Sequence, residues 1–236
     1  LLHDLGALDA RGVITPTGRK MLAFPVHPRY ARMLLAAEEY GCVRQAALIA
    51  ALTQGRELLL RQGGREGGEF RADLFGEEHD SDFWVLMRAW NYVSKNQFNL
   101  NACRRVGVHG VTARQVQPLL EMFLDIAHSE GPQIDHPMPG DEKVRTGVLV
   151  GFSDRLAKRL DQGSLRCILS HGRFGLLSRD SVVQNAPFFV AAEISEIEGR
   201  DKSVSTLLSL ATAVETSWLE ELYPEEIETE TFVTYD

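Results

Sequence analysis

The sequence predicts an α+β protein of several domains, in which part of a winged helix precedes a helical middle region and a small β-barrel. Apolar residues recur at helical spacing from residue 29 to residue 127, and short apolar runs replace them beyond residue 160. A stretch rich in Pro and Gly, 131–143, separates the two patterns. We therefore predict domains at 1–26, 27–139 and 140–236.

The first 26 residues predict the second half of a winged helix. The leucines between Leu1 and Leu8 have helical spacing, a minimal strand follows at Val13 and Ile14, and Thr15 precedes a Pro as a helix N-cap does. The sequence does not begin with Met, and we expect the chain to be a piece of a longer protein.

The middle region predicts only helices and the loops between them. The helices are expected at 29–38, 43–52, 83–96, 100–106 and 112–127, with Thr112 as the N-cap of the last one. The long glycine-rich connection at 54–78 is expected to be mobile. Its GGREGG segment at 63–68 follows no apolar strand, which favours a loop over a phosphate-binding cradle.

The last region predicts strands at 165–169, 174–177, 188–194 and 204–210, which would close into a small barrel. In front of them, residues 144–160 predict an amphipathic helix. Arg155, Lys158 and Arg159 would share one cationic face of that helix, because they are three and four residues apart.

Charge is unevenly distributed along the chain. The net charge is −8 and the pI is near 5.4, which argues against indiscriminate binding to nucleic acid. Seven bases nevertheless lie between residues 145 and 179, against Asp154 and Asp161 only: Arg145, Arg155, Lys158, Arg159, Arg166, Arg173 and Arg179. From residue 215 the sequence is acidic without basic residues, and this tail is expected to face solvent or a basic protein surface.

Composition also restricts the class of protein. No apolar run approaches the roughly 20 residues of a membrane-spanning helix, no signal peptide is visible, and a cytoplasmic location is expected. Cys42, Cys103 and Cys167 are an odd, widely spaced set, which predicts buried free thiols. His79, Asp80 and Asp82 are better explained as an N-cap cluster than as metal ligands, so we predict no metal site.

Several segments together resemble the DEAH-box helicases. They are LGALD (5–9), FPVHPRYARMLL (24–35), YGCVRQAALIAALTQ (40–54), HDSDFWVLMRAWNYV (79–93), VLVGFSDRLAKRL (148–160) and PFFVAAEI (187–194). The resemblance implies the end of a winged-helix domain, a helical ratchet (helicase-associated) domain and an OB-fold-like C-terminal barrel. SHGRFGLL, VAAEI and TSWLEELYP are most similar to the bacterial HrpB-type helicases.

The motifs of an ATPase do not occur in this sequence. It has no G-x-x-x-x-G-K-S/T phosphate loop, no D-E-A-H segment and no Q-R-x-G-R-x-G-R segment. These groups hold the triphosphate and its magnesium ion in an ATPase of this class. We therefore predict that this chain alone binds no cofactor and hydrolyses no ATP, while the resemblance implies that ATP and magnesium act in motor domains of the parent protein.

Two groups of residues in the barrel region are candidates for contact with nucleic acid. One is Arg155, Lys158 and Arg159; the alternative is an ordinary solvated surface. The other is the His171-Gly172-Arg173 turn, where backbone amides could approach a phosphate and Arg173 could stack on a base. An ordinary hairpin turn is the alternative.

The helical region supplies a third group. Arg104 and Arg105 precede a glycine loop, and Arg114 follows it in the first turn of the next helix, whose N-terminus can hold an anion. Structural caps and surface charge are the alternatives. Trp84 and Trp90 lie at core spacing within an apolar helix and are assigned to the core.

From these patterns and the resemblance, we expect an accessory region of an ATP-dependent RNA helicase that grips single-stranded nucleic acid. RNA is the expected ligand, DNA the second choice, and the motor domains of the same chain the intramolecular partner of a monomer. One alternative is a protein-docking module that uses the acidic tail. Another is a winged-helix transcription regulator, which is disfavoured because its recognition helix would lie in the missing half.

Overall fold

The computed structural model describes residues 1–60, 80–130, 140–198 and 204–227. In these ranges no helix combines the length and the apolar character that crossing a membrane requires. The GGREGG segment, most of the predicted mobile connection, His79 and the end of the acidic tail lie outside the described residues.

The N-terminal segment is a tight turn followed by a short helix. The Asp9 carboxylate accepts hydrogen bonds from two backbone N–H groups, and an isolated bridge joins Leu8 to Ile14. Thr15 Oγ1 accepts from the N–H of Gly18 at 3.0 Å, which confirms the predicted N-cap. A Cβ at Gly18 would lie 2.3 Å from a backbone oxygen, so only glycine fits there.

Eight α-helices occur in the described ranges. They are α1 Pro16–Met21, α2 Pro28–Tyr40, α3 Val43–Thr53, α4 Asp82–Lys95, α5 Leu100–Arg105, α6 Gly110–Glu130, α7 Asp141–Gly151 and α8 Thr216–Leu222. The helices predicted for the middle region are confirmed. Helix α6 begins at Gly110, so Thr112 lies in its first turn and is not the N-cap; the His109 ring accepts the Thr112 N–H instead, at 3.3 Å.

One hydrophobic core runs through the helices and across the predicted boundary at 139/140. Helix α7 lies so close to α2 that a Cβ on Gly151 would be 2.6 Å from Met33 Cβ. Leu34, Leu149 and Trp218 belong to the same cluster as Leu5 of the N-terminal segment. Trp90 is 3% exposed and Trp84 packs at the edge of this core, as expected.

Five strands form the closed barrel predicted for the last region: β1 Leu156–Arg159, β2 Arg166–Leu169, β3 Phe174–Leu177, β4 Phe188–Glu198 and β5 Val204–Ala213. Around the barrel they follow the order β1-β2-β3-β5-β4. All neighbours are antiparallel except β3 and β5, which are parallel. Phe189, Leu177 and Leu208 fill the interior. The three cysteines are buried free thiols, as predicted.

The single helix predicted for 144–160 is wrong. Helix α7 ends at Gly151, a 3-10 turn occupies Ser153–Arg155, and β1 follows. Residues 156–159 become a strand because they pair with β2 on one side and β4 on the other, which places Ala157 in the barrel interior. A strand turns successive side chains to opposite faces, so Arg155, Lys158 and Arg159 do not share a cationic face.

Candidate nucleic-acid interface

The outer face of the barrel carries a row of residues from three adjacent strands. Lys158 of β1 lies opposite Ile168 of β2, and Ile168 lies opposite Phe174 of β3. Residues opposite each other in a sheet project to the same side. The neighbours Ala157 and Cys167 are fully buried, so the row faces outward. Lys158 is exposed, and its ammonium group lies 5.9 Å from the ring centre of Phe188.

The His171-Gly172-Arg173 turn joins β2 to β3 at the end of this row. Its residues are exposed, and Gly172 has a φ of +76°, which favours glycine. The Leu169 N–H donates to the Arg173 carbonyl oxygen, as in an ordinary hairpin. The Arg173 guanidinium contacts Glu196 at 2.5 Å, so part of its charge is already balanced. The turn therefore exposes backbone and one partly paired cation.

Arg155 lies at the junction of the barrel and the helices. Its guanidinium donates to the Ala192 carbonyl oxygen, and burial followed by the neighbouring Arg29 lowers its pKa. It lines a groove of about 300 Å³ with His27, Tyr30 and residues of β4. Beside it Arg29 forms a two-pronged ion pair with Asp154, at 2.9 and 2.5 Å. Arg155 is thus half-buried, away from the outer row.

Arg159 has a structural environment. Only 7% of its surface is exposed, and its guanidinium donates to carbonyl oxygens of Ser164, Val183 and Ala186. The contacts with Val183 and Ala186 hold the connection between β3 and β4 against the end of β1, and the contact with Ser164 holds the connection between β1 and β2 there. Arg159 has no free surface for a phosphate, although it follows the exposed Lys158 in the chain.

The bases predicted in the helical region are exposed at one corner of it. Arg104 and Arg105 end α5, and Arg114 lies in the first turns of α6. Arg114 donates to the Phe98 carbonyl oxygen at 3.1 Å, which ties it to the turn before α5. Gln97 and Phe98 in that turn have φ values of +54° and +52°, a conformation that is strained for residues other than glycine.

A seam of buried and partly buried polar groups joins the helices to the barrel. Asp82 begins α4, and its carboxylate accepts hydrogen bonds from the hydroxyl of Ser181 at 3.0 Å and the N–H groups of Val182 and Ala211 at 2.8 and 2.7 Å. Beside it, the hydroxyls of Ser81 and Thr212 lie 2.8 Å apart. Burial raises the pKa of Asp82 to about 6, although the three hydrogen bonds act in the opposite direction.

Arg145 of α7 closes the other side of the seam. It is 8% exposed and contacts Asp141 at 2.7 Å, Asp80 at 3.6 Å and Glu215 at 3.7 Å. Its guanidinium lies 4.8 Å from the ring centre of Trp218. Thus Arg145, Arg155 and Arg159, three of the seven bases counted in the basic region, are buried or half-buried in internal contacts.

Sequence reasoning missed three functional or structural positions. Phe174 was assigned to a strand but not to an exposed face, although the strand period already separates it from buried Gly175 and Leu177. Arg166 was counted among the bases and not selected, yet it lies on the outer face opposite Leu176. Asp82 was interpreted as part of a helix cap; no local signal shows that its partners lie about a hundred residues later.

No group of three His, Cys, Asp or Glu side chains in the described part of the chain is arranged to hold a metal ion.

The acidic tail begins within the described part of the chain. Exposed acids on or beside α8 are Glu215, Glu220, Glu221, Glu225 and Glu226. Glu215 turns towards Arg145, and the rest of this stretch supplies no base.

Two family models match adjacent parts of the chain. The winged-helix part of the helicase associated domain (HA2) matches residues 1–26, and its ratchet-like part matches residues 27–86. These matches cover the N-terminal segment and the helices up to the first turns of α4. The predicted boundaries of the three domains otherwise stay predictions.

Three curated relatives align with almost all of the chain. ATP-dependent RNA helicase HrpA of Escherichia coli is 22% identical over 235 residues, covering 93% of this chain and 17% of that protein. Putative ATP-dependent RNA helicase rha-2 of Caenorhabditis elegans is 25% identical, covering 92% and 21%. The HrpA homolog of Haemophilus influenzae is 22% identical, covering 94% and 18%.

The chain therefore spans about a fifth of the length of these relatives. Similarity to the HrpB type in particular stays a prediction, since these relatives do not test it. Both parts of the helicase associated domain match this chain, and a closed five-stranded barrel follows them. The alignment to an RNA helicase covers more than nine tenths of the chain, which agrees with these matches. These findings support a C-terminal, helicase-associated region of a DEAH-box helicase for this chain.

Proposed function

We propose that this region holds single-stranded nucleic acid for an ATP-dependent RNA helicase while motor domains of the parent protein hydrolyse ATP and separate the strands. RNA is the proposed ligand because the relatives are RNA helicases. ATP and magnesium belong to the motor in this proposal. A cytoplasmic location and a monomeric state remain predictions.

The observation that carries the proposal is the outer face of β1, β2 and β3 with the hairpin at its end. Lys158, Arg166 and Arg173 are exposed there, together with the amides of the His171-Gly172 turn. In a chain of net charge −8, such a local group of bases is the part best suited to phosphates. OB-type barrels bind oligonucleotides on the face of their second and third strands.

The site proposed here is smaller than the one that the sequence predicts. Lys158 and the His171-Gly172-Arg173 turn keep their proposed role, and Arg166 joins them. Arg155 and Arg159 are assigned to internal contacts instead. Few phosphates can be neutralised by three cations, so we expect a dissociation constant of about 10⁻⁴ to 10⁻⁶ M, as for non-specific binding.

The test is a titration of a labelled single-stranded RNA oligonucleotide at low and moderate salt. We expect binding that weakens with salt, and a triple variant, Lys158→Ala, Arg166→Ala and Arg173→Ala, that binds at least tenfold more weakly. The slope of the logarithm of its binding constant against the logarithm of the salt concentration should be flatter, by roughly one for each phosphate that the variant no longer neutralises. The control is Arg11→Ala, Arg19→Ala and Lys20→Ala, which removes the same charge from an exposed part of the N-terminal segment.

Equal binding by the triple variant and the control would contradict this placement. The next candidate would then be the corner formed by Arg104, Arg105 and Arg114, which is exposed and lies beside the strained turn before α5. The same titration with single-stranded DNA would compare the two nucleic acids.

A second candidate function, docking of a basic protein, rests on the exposed glutamates of α8 and the residues after it. Binding to a partner that removal of residues 223–236 abolishes, and an oligonucleotide affinity that salt does not change, would favour it over the first proposal.

A further inference from the structure

Phe174 is an exposed aromatic ring in the middle of a sheet face. It is 61% exposed, although it lies in β3 with neighbours on both sides. Gly175 fixes this orientation: a Cβ there would lie 3.1 Å from Leu208 in the barrel interior, so β3 packs closely on that side. The ring of Phe174 must then project outward.

The residues around the ring are apolar and basic. Ile168 lies beside it on β2, and Leu176, which is 37% exposed, follows two positions later on the same face. Lys158 lies two strands away, about 10 Å at the usual strand spacing, in the same row. Arg166 lies opposite Leu176, and Arg173 precedes the ring. A flat apolar surface is thus bordered by cations.

This combination fits one kind of occupant. A nucleotide has a flat base that stacks on an aromatic ring and a phosphate that needs a cation a short distance away. The carboxylate beside the hairpin, Glu196, is paired with Arg173 and so repels a phosphate less than a free acid would. A purely apolar partner would leave the surrounding cations without a role.

We propose that Phe174 is a stacking platform for one base of a single strand whose phosphates lie towards Lys158 and Arg166. The inference rests on the proposed function and deepens it: recognition would require an unpaired base, because a base inside a duplex has no free face. It assigns to Phe174 the stacking role that sequence reasoning gave to Arg173.

The test compares Phe174→Ala with wild type on a short single-stranded oligonucleotide and on a duplex of the same length. We expect Phe174→Ala to weaken single-strand binding about tenfold, as for loss of one stacked base. Phe174→Tyr and Phe174→Trp should retain binding, and duplex binding should be weak and unchanged. The matched control is Leu22→Ala, an apolar side chain that is 76% exposed in the N-terminal segment.

Two further measurements separate stacking from a structural effect. Phe174→Trp adds an exposed indole to the three tryptophans of the wild-type chain. Addition of the oligonucleotide should therefore quench the tryptophan fluorescence of Phe174→Trp more than it quenches the tryptophan fluorescence of wild type. An oligonucleotide in which every base is replaced by an abasic unit should bind wild type and Phe174→Ala equally. Both variants should keep the thermal midpoint of wild type, because the ring contributes little to the core.

The outcomes distinguish this inference from the proposed function. If wild type shows no salt-dependent binding to single strands, the proposed function fails and the stacking platform fails with it. If wild type binds and Phe174→Ala binds equally well, only the platform is overturned. If Phe174→Ala changes self-association in gel filtration and leaves oligonucleotide binding intact, the face is a protein interface, which also overturns the platform.

Discussion

Charged residues held inside the protein, at the seam between helices and barrel and at the end of β1, contrast with charged residues of the same types that are exposed to solvent. Lys158 and Arg159 are consecutive in the chain, yet one side chain is exposed and the other is 7% exposed with three carbonyl partners. Asp82 is likewise surrounded by donors, whereas Asp80, two residues earlier, has a side chain that is 61% exposed. Position relative to the barrel wall decides which charges are structural and which are available to a ligand.

The difference has an energetic consequence. Removing a buried charge leaves its former partners without hydrogen bonds, and each unpaired group costs about 1–3 kcal/mol. Removing an exposed charge changes stability by less than about 1 kcal/mol, because water takes the place of the missing side chain. Variants of the seam should therefore change folding, and variants of the outer face should change binding alone.

The largest effect is expected for Asp82→Ala. The change leaves the Ser181 hydroxyl and the N–H groups of Val182 and Ala211 without their acceptor inside the seam. We expect the free energy of unfolding to fall by about 4 kcal/mol, measured by guanidinium unfolding followed by circular dichroism. Asp80→Ala is the control and should cost less than about 1 kcal/mol. Equal losses in the two variants would mean that Asp82 does not fasten the barrel.

The second effect concerns pH. Burial raises the pKa of Asp82 from 3.8 to about 6, so the folded protein binds this proton more tightly than the unfolded chain. The stabilising contribution is therefore complete below pH 3.8 and is lost as pH rises through 6, which amounts to about 3 kcal/mol. The charge of Asp180 acts in the same direction as burial.

The comparison that isolates this group is between wild type and Asp82→Asn, which cannot titrate. The free energy of unfolding of each protein is measured from about pH 4 to about pH 7.5. The value for wild type minus the value for Asp82→Asn should be larger at pH 4 and should fall as pH rises. Other titrating groups are common to both proteins and cancel. Parallel curves would contradict a raised pKa at Asp82.

The helices and most strands could be predicted from the sequence because their signals are local. Apolar spacing identified α2 through α6, and β3 was predicted at its observed bounds. The stretch 144–160 failed for a physical reason: its apolar residues fit helical spacing, but pairing with β2 and β4 overrides that preference after Gly151. No sequence pattern within 156–159 indicates that these residues pair with β2 and β4.

The site was harder to predict for the same reason. The bases near the hairpin were visible as a local excess of charge, and Lys158 and Arg173 are exposed as that excess suggested. Burial of Arg159 depends on carbonyl groups from the connection between β3 and β4, 24 and 27 residues later. Counting charges in sequence therefore overstates the surface available to phosphates.

The smallest effects provide the sharpest comparison, between Arg159→Ala and Lys158→Ala. Arg159→Ala removes the donors that hold the Ser164, Val183 and Ala186 carbonyl groups, so we expect a loss of about 3 kcal/mol in the free energy of unfolding, the least that three unpaired groups would cost. Lys158→Ala should change stability by less than about 0.5 kcal/mol, since its ammonium group is solvated and its distance from the Phe188 ring is long.

Binding should reverse this order. Lys158→Ala should weaken oligonucleotide binding and flatten its dependence on salt, whereas Arg159→Ala, measured at a temperature where it is folded, should bind as wild type does. Both variants lose one positive charge from adjacent positions, so a general effect of net charge would weaken binding equally in the two. That result, or a stronger loss of binding in Arg159→Ala, would show that burial does not separate structural from available charge in this barrel.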